Sequence, residues 1–288
     1  MAEFENKLVS IAIVTWNRKE YVIRAIKSIF DQPYRPVEIV VVDSNSSDGT
    51  VESIRNVYPE VKIIRLHRNM GCPEGRNIAL ANCSGDIIFS LDDDAWLHLS
   101  TLQLCVKKFN EDQKLGVIAC QIVDPKKETK DIKKECYITS FSGGACAIKR
   151  EMLNKVGYFP SDFFRQAEEG DLALRILDKG YNIIYYPEAI IYHEMAPINR
   201  NKKLFMYYGC RNELYTIIRR YPIFLLPLAI LWKILVWNLA GINTKAIHYT
   251  LFATIFALAR FPILLWERKP VSLKTVKKII NSKLSFKC

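Results

Sequence analysis

The sequence lacks three features that would assign it quickly to a familiar class. It has no low-complexity run, its eight cysteines form no Cys-x-x-Cys pair, and its N-terminus is mostly polar, with no apolar signal core. Irregularly spaced cysteines argue against a zinc site or a disulfide framework and favour free, mostly buried thiols in a reducing compartment. A polar N-terminus argues against export. We therefore expect a chain that folds over most of its length and whose N-terminal part lies in the cytosol.

Two common phosphate-binding loops are also missing. No Gly-x-Gly-x-x-Gly follows the first apolar run, and no Gly-Lys-Ser/Thr loop occurs in the chain. These absences argue against dinucleotide binding through a glycine-rich turn and against P-loop chemistry.

Acidic residues are scarce in the last third of the chain. Residues 196–288 contain 16 Lys and Arg but only 2 Asp and Glu, a charge of +14, whereas residues 1–195 contain 25 against 28, a charge of −3. Such an asymmetry indicates two parts with different partners. We therefore predict an N-terminal domain over residues 1–203 and a basic, apolar, helical region over residues 204–288.

The N-terminal part alternates short apolar runs with amphipathic segments. The runs at 8–14, 37–42 and 61–66 have the length of buried strands, and the segments between them have helical spacing. This alternation predicts an α/β fold with a mostly parallel sheet, right-handed crossovers and flanking helices.

A further apolar run, residues 87–91, ends in the three adjacent carboxylates of Asp92, Asp93 and Asp94. Open α/β sheets bind ligands at the carboxyl ends of their strands. Three neighbouring negative charges repel one another unless a cation or a proton relieves them, and carboxylate oxygens suit Mg²⁺ or Mn²⁺. The alternative is a solvated acidic turn that caps the next helix.

Four motifs follow one another along the chain: Thr15-Trp16-Asn17-Arg18, Asp43-Ser44-Asn45-Ser46, Asn69-Met70-Gly71 with Arg76-Asn77, and Leu91-Asp92-Asp93-Asp94. In this order they resemble glycosyltransferase family 2, and the resemblance covers about residues 8–200. It implies a GT-A, Rossmann-like fold, a nucleotide-diphosphate sugar donor (a UDP-sugar is favoured), a divalent metal, Mg²⁺ or Mn²⁺, and inversion at the anomeric carbon.

The resemblance also implies roles for single residues. Asp43 would contact the nucleotide base, although an aspartate at a strand end often only caps a turn, and Arg76 would face the nucleotide or the diphosphate. Asp94 would ligate the metal, Asp92 would hold the metal or the ribose, and His193 is a candidate metal ligand. The donor-binding set is Thr15, Asn17, Asp43, Arg76, Asp92, Asp93, Gly143 and Gly144, and the metal-binding set is Asp92, Asp94 and His193.

Three acids lie at the start of a predicted helix: Glu168, Glu169 and Asp171. Inverting transfer needs a carboxylate that takes the proton of the acceptor hydroxyl on the face opposite the leaving group. The segment resembles the family's Glu-Asp-x-Asp-Leu motif, but the usual second-position Asp is Glu169 here. We predict Glu169 as the base, with Glu168 and Asp171 as the other candidates. Acids at a helix start also complement the helix dipole without any catalytic role.

Two apolar stretches of 20 residues each, Tyr221–Ala240 and Ile247–Trp266, dominate the C-terminal region. Twenty helical residues reach about 30 Å, which is enough to cross a bilayer core. Lys233 and Arg260 lie inside these stretches, and each costs roughly 2.5–3.5 kcal/mol at a helix centre. Three arrangements of these stretches are compatible with the sequence: a hairpin that spans the membrane, helices that lie in the membrane interface, and helices buried against the catalytic domain. Basic flanks on both sides predict attachment to the cytoplasmic face of the cell membrane.

The sequence therefore predicts a membrane-bound inverting glycosyltransferase whose catalytic domain faces the cytoplasm. Its acceptor would be a hydroxyl, on a polyisoprenoid-linked glycan or a glycolipid. The alternative is a non-catalytic, membrane-associated nucleotide-sugar binding protein. This alternative stays open because Glu169 replaces the aspartate that is usual at the position of the base. Nucleic-acid binding is disfavoured, because the basic residues are interleaved with long apolar runs and form no polar basic face.

Overall fold

A computed structural model describes residues 7–127, 134–194 and 201–284. The centre of the molecule is a nine-stranded sheet with helices packed on both faces. The strands are β1 (Val9–Thr15), β2 (Val37–Asp43), β3 (Lys62–Arg65), β4 (Ile87–Asp92), β5 (Ala95–Leu97), β6 (Leu115–Val123), β7 (Cys136–Tyr137), β8 (Ala145–Lys149) and β9 (Asn182–His193).

The strands lie in the order β3-β2-β1-β4-β8-β6-β9-β5, and β7 pairs with β9. Strands β1 to β4 are parallel to one another, as the alternation of strands and helices predicts. The α/β prediction is confirmed, but the sheet as a whole is mixed, because β5, β7 and β8 run antiparallel to their neighbours. In the parallel half, Thr15 pairs with Asp43 and Val14 with Asp92, so three strands bring their carboxyl ends to one edge.

Two hydrophobic cores lie on the two faces of the sheet. Helix α1 buries Val22, Ile26 and Ile29 on one face, at the spacing of an amphipathic helix. On the other face α6 buries Leu172 and Ile176. Each such side chain contributes roughly 1.5–3 kcal/mol through burial. The helices of this part are α1 (Lys19–Phe30), α2 (Thr50–Val57), α3 (Cys72–Asn82), α4 (Thr101–Glu111), α5 (Arg150–Val156) and α6 (Glu168–Asp178).

Two helices of the C-terminal region pack against α6 of the N-terminal part. Helix α7 packs against α6 on one side and against α8 and α9 on another, and α11 buries Val276 and Ile279 in the core beside α6. A third cluster joins Phe163 to Leu214 and Tyr215 of α7. The remaining helices are α7 (Lys202–Arg220), α8 (Leu226–Asn243, after a 3-10 turn at Ile223–Leu225), α9 (Ile247–Ala259), α10 (Phe261–Trp266) and α11 (Leu273–Leu284).

Within the described residues, one helical segment is long and apolar enough to cross a membrane. It covers Ile223–Asn243, and an 18-residue window within it has a mean hydropathy of 2.0 and is only 6% buried. Its Lys233 pairs with Glu213 of α7 at 2.7 Å, which compensates the charge. The second apolar stretch is broken at Arg260, and α9 alone has 13 residues. That length corresponds to about 20 Å, which is too short for a bilayer core of about 30 Å.

Six of the described cysteines are free thiols, and five of these are buried. The prediction of free, mostly buried thiols is confirmed for these six. Cys136 is the exception, because it is disulfide-bonded.

Candidate active site

A cavity of about 1290 Å³ opens where β1, β2 and β4 end. It exceeds the range of about 300–1,000 Å³ that is usual for small-ligand sites. Its walls bring together acids and bases that are far apart in the sequence. The charged or titratable residues on these walls are Arg18, Cys72, Arg76, Asp92, Asp93, Asp94, Arg165, Glu168, Glu169, His193, Lys202 and Lys203.

One end of the cavity carries the three predicted metal ligands. Asp92 is the last residue of β4, and His193, the last residue of β9, pairs with Ala95 of β5. This antiparallel pairing places the imidazole next to Asp94, and His193 Nε2 lies 2.9 Å from Asp94 Oδ1. One ligand atom from each of Asp92, Asp94 and His193 lies within 4.8 Å of the other two. Two carboxylates and one imidazole form a donor set that accommodates Mn²⁺ well.

The middle aspartate of the triplet is held differently from its neighbours. Asp93 Oδ1 accepts a hydrogen bond from Arg18 Nη1 at 2.7 Å, and the same nitrogen lies 3.3 Å from Asp94 Oδ2. Burial raises the pKa of Asp93 to about 6, although Arg18 opposes this shift. The sequence motif contained Arg18, but the arginine was absent from the predicted site. The guanidinium of Arg18 offsets part of the negative charge of the three adjacent aspartates.

Arg76 of α3 lies between the aspartates and the acids of α6. Its Nη2 is 2.7 Å from Asp92 Oδ1, and its Nη1 is 3.1 Å from Glu168 Oε1 and 3.9 Å from Glu169 Oε1. The guanidinium is almost entirely buried yet forms part of the cavity wall. Arg76 therefore links the two acidic ends of the cavity through charge-assisted hydrogen bonds.

Glu168 and Glu169 both line the cavity, but they lie in different surroundings. Glu168 is 3% exposed, and burial together with the charge of Glu169 raises its pKa to about 7, against the effect of Arg76. Its Oε2 has no hydrogen-bond partner among the residues that the structure describes. The side chain of Glu169 is 23% exposed, and its Oε1 accepts a hydrogen bond from the backbone N–H of Gly143 at 3.0 Å.

Asp171, the third candidate base, lies outside the cavity wall. Its side chain is completely buried, and its carboxylate accepts hydrogen bonds from Arg175 Nε at 2.8 Å and from Arg220 Nε at 2.6 Å. Asp171 thereby ties α6 to α7. This geometry, with both carboxylate oxygens paired to arginines, indicates a structural role.

Gly143 and Gly144, the two glycines of the predicted donor site, pack closely against the side chains of Arg76, Glu169 and Asp92. A Cβ on Gly143 would lie 2.8 Å from Arg76 Nη1 and 2.9 Å from Glu169 Oε1, and a Cβ on Gly144 would overlap the carboxylate of Asp92. The glycines therefore make room for the charged groups, while the adjacent Ser142 lines the cavity.

Asp43 ends β2 in a fully buried position, behind the cavity wall, which the adjacent Ser44 lines. Its Oδ2 accepts a hydrogen bond from the N–H of Ser46 at 3.0 Å and lies 3.8 Å from Arg65 Nε. Its Oδ1 has no hydrogen-bond partner in the described part of the chain. A buried acceptor without a partner calls for an explanation, and a ligand group that donates a hydrogen bond is a suitable one.

The first loop of the chain contributes in two ways. Thr15 lines the cavity at the end of β1. Asn17 is not on the wall. It holds the loop after β2, because its N–H donates to Ser46 Oγ at 2.8 Å and its Oδ1 accepts from the N–H of Ser47 at 2.8 Å. Asn17 therefore shapes the loop after β2 without lining the cavity.

Residues 10–169 match the sequence profile described as glycosyl transferase family 2, which is more than half of the chain. The chain belongs to glycosyltransferase family 2. Residues 130–266 also match the profile described as glycosyl transferase family group 2, which extends over α7 to α10.

The sequence relatives of this family 2 member include two named bacterial enzymes. A GalNAc(5)-diNAcBac-PP-undecaprenol beta-1,3-glucosyltransferase of Campylobacter jejuni is 27% identical over 172 residues, which are 54% of this chain and 56% of that protein. The chondroitin synthase of Escherichia coli is 31% identical over 114 residues, 38% of this chain and 16% of that one. The chain thus spans about half the length of the first relative and less of the second.

Solved structures of low identity share its GT-A fold. Residues 1–349 of Staphylococcus aureus TarS, in complex with UDP-GlcNAc, have a TM-score of 0.65 and 18% identity, covering 96% of this chain and 85% of that fragment. Mannosyltransferase PcManGT from Pyrobaculum calidifontis, in complex with GDP-Man and Mn²⁺, has a TM-score of 0.59 and 21% identity, covering 97% and 80%.

Proposed function

We propose that this protein is a metal-dependent, inverting glycosyltransferase that moves a sugar from a nucleotide-diphosphate donor to a hydroxyl group. One observation carries the proposal: a cluster of two aspartates and a histidine, Asp92, Asp94 and His193, shares a cavity with the glutamates Glu168 and Glu169. A diphosphate leaving group needs positive charge at one end, and an incoming hydroxyl needs a base at the other.

Asp92, Asp94 and His193 would hold Mn²⁺ or Mg²⁺. When bound, such an ion neutralises the charge that develops on the departing diphosphate. The mixed oxygen and nitrogen donor set favours Mn²⁺ over Mg²⁺, which prefers oxygen ligands. The Mn²⁺ in the complex of the Pyrobaculum mannosyltransferase supports this assignment.

The donor's base would lie at the end of β2, where Asp43 Oδ1 has free acceptor capacity. A uracil N–H is a suitable donor for this oxygen, and the UDP-GlcNAc complex of TarS supports a UDP-sugar. Thr15 and Asn17 form and support the same end of the cavity. Arg76, beside Asp92, would stabilise the diphosphate by charge-assisted hydrogen bonds.

We assign the base to Glu169. Its carboxylate is oriented by the N–H of Gly143 and is more exposed to the cavity than that of Glu168. Glu169 would accept the proton of the acceptor hydroxyl while the oxygen attacks the anomeric carbon and the bond to the diphosphate breaks on the opposite face. Glu168, paired with Arg76, would position Glu169 and is the second candidate for the base.

The acceptor would be a glycan carried by a membrane lipid. Residues 201–204, at the start of α7, form part of the cavity wall, and the same helix leads to the exposed apolar helix α8. Trp232 of α8 is 62% exposed and Trp266 of α10 is 92% exposed, which suits the membrane interface. The undecaprenol-linked substrate in the name of the Campylobacter relative supports this choice. The basic flanks of the region would place the catalytic domain on the cytoplasmic side.

A donor screen tests the proposal. The purified full chain is incubated with UDP-, GDP- and dTDP-sugars, with Mn²⁺ or with a chelator, and release of the nucleoside diphosphate is measured with membrane lipid extract as acceptor. We expect release from one class of donor, abolished by the chelator and restored by Mn²⁺. Donor binding without release in any condition would favour the non-catalytic binding protein. Release that persists in the chelator would exclude the metal-dependent mechanism.

A further inference from the structure

The loop between α5 and α6 has an unfavourable backbone just before the two glutamates. Gln166 and Ala167 have φ angles of +69° and +63°, so two successive residues with side chains adopt the left-handed region. L-residues seldom adopt this conformation, and surrounding contacts must maintain it. Because Glu168 follows at once, the conformation of this loop sets the position and direction of both glutamates.

Asn212 of α7 makes two polar contacts to this loop. Arg211 and Arg219 of the same helix also bond Asp162, earlier in the loop. Its side chain is completely buried, and its Nδ2 donates hydrogen bonds to the carbonyl oxygens of Arg165 at 2.7 Å and Gln166 at 2.8 Å. Its Oδ1 accepts a hydrogen bond from Arg211 Nε at 2.8 Å, which fixes the orientation of the amide. One buried amide therefore holds two consecutive carbonyl groups, that of the residue just before the positive-φ pair and that of the first residue of the pair.

The opposite side of the loop rests on α3. The N–H of Cys72 donates to the carbonyl oxygen of Phe164 at 3.0 Å, and Gly71, at a φ of +88°, leaves no space for a Cβ beside Phe164. Asn77 of the same helix bonds both backbone groups of Phe159, at 2.9 and 3.0 Å. The loop is thus held between α3, which carries Arg76, and α7, which carries Asn212.

We propose that Asn212 is a positioning residue that orients the base-bearing start of α6. The inference rests on the proposed function, because it assigns a purpose to the position of Glu169. It goes beyond that function by making α7 part of the catalytic apparatus. The same helix packs against α8 and α9, where Trp237 lies against Gly209, so the membrane-facing helices and the base are joined through one element.

The test compares Asn212→Ala and Asn212→Asp with a matched control. An aspartate keeps the size of the side chain but directs a carboxylate at two carbonyl oxygens. The control is Cys210→Ala, because Cys210 is equally buried in α7 but faces Thr250 of α9, 3.7 Å from its carbonyl oxygen. Turnover, donor Kd and hydrogen exchange of amides 165–169 are measured on the full chain in detergent.

We expect both Asn212 variants to lower kcat by about 10- to 100-fold, because small misplacements of a catalytic group have effects of this size. Donor Kd should change by less than about twofold, because residues on other elements bind the donor. Amides 165–169 should exchange faster in Asn212→Ala, and Cys210→Ala should leave all three quantities near those of the wild type.

Two outcomes overturn the inference. One is unchanged exchange at amides 165–169 in Asn212→Ala, and the other is equal losses of kcat in the Asn212 variants and in Cys210→Ala. If the wild-type chain itself shows no turnover, the proposed function fails. Faster exchange in Asn212→Ala alone would then still support the structural half of the inference, so the two failures can be told apart.

Discussion

The two acidic ends of the cavity are built in different ways. The end with Asp92, Asp94 and His193 is formed where strands stop, and the pairing of β5 with β9 fixes its spacing. The end with Glu168 and Glu169 lies on a loop and a helix start, held by hydrogen bonds from α3 and α7. One end therefore depends on the register of the sheet, whereas the other depends on side chains from a distant part of the chain.

The largest effect should come from the end with the glutamates. Glu169→Gln keeps the shape of the side chain but cannot accept the proton, so we expect kcat to fall by up to about 10⁴-fold. The affinity for the sugar donor, measured by calorimetry, should be close to that of the wild type. Glu52→Gln, an exposed glutamate of α2, serves as the control. Turnover of Glu169→Gln close to that of the wild type would remove Glu169 from this role.

A comparable loss should follow a change at the other end. Asp94→Ala removes one of the three candidate ligands, and a lost metal contribution of several kcal/mol corresponds to a fall of about 10³-fold in kcat/KM. Titration with Mn²⁺ should show a weaker apparent affinity than in the wild type. Asp31→Ala, at the exposed end of α1, controls for the loss of a carboxylate. An unchanged Mn²⁺ dependence in Asp94→Ala would contradict the ligand assignment.

A variant at Asp171 tests whether this acid is structural or catalytic. Asp171→Asn breaks a completely buried pairing with Arg175 and Arg220, and the loss of one partner of a buried ion pair costs about 3–5 kcal/mol of unfolding free energy. We expect a clear drop in the midpoint of chemical unfolding, whereas kcat per folded molecule stays within about threefold of the wild type. A loss of kcat as large as that of Glu169→Gln, in a variant of undiminished stability, would return Asp171 to the list of bases.

The smallest effect concerns the pH dependence of stability. Burial raises the pKa of Glu168 to about 7, so the fold favours its neutral form. The stabilisation from this group is complete below its ordinary pKa and is lost as the pH rises through 7. Glu168→Gln does not lose this stabilisation as the pH rises, because a glutamine does not titrate. Relative to the wild type, it should gain up to about 3 kcal/mol between pH 5 and pH 8.

Urea unfolding of the metal-free protein at pH 5, 6, 7 and 8 measures this gain. Glu60→Gln, an exposed glutamate, should show no comparable gain and serves as the control. Parallel pH profiles for the wild type and Glu168→Gln would show that Glu168 titrates normally in the folded protein.

The structure supports the predicted positions of some site residues more fully than those of others. The cluster of Asp92, Asp94 and His193 forms as the resemblance implies, although the aspartates and the histidine are about a hundred residues apart. Gly143 and Gly144 are near the site, but they leave space for side chains and do not form the wall. Arg18 was missed although it ends the first motif, because only the fold shows that its side chain reaches Asp93.

The C-terminal region was the hardest to predict. Hydropathy indicates two equal apolar stretches, but the second is broken at Arg260, next to Pro262. The guanidinium of Arg260 lies over the ring of Tyr215 at 5.6 Å, a contact that no local pattern reveals. Likewise, the return of α11 to the core beside α6 depends on a surface that exists only after the sheet has formed.

Local sequence patterns predict the order of strands and helices, the acids at the strand end and at the helix start, and the apolar, basic character of the last third. These are properties of short segments, in which periodicity, composition and motif order act locally. No such pattern predicts that Asp171 faces two arginines and not the cavity, that Glu168 is buried, or that Asn212 holds the loop before the glutamates. Burial and hydrogen-bond partners arise from contacts between distant segments, and these contacts exist only in the folded chain.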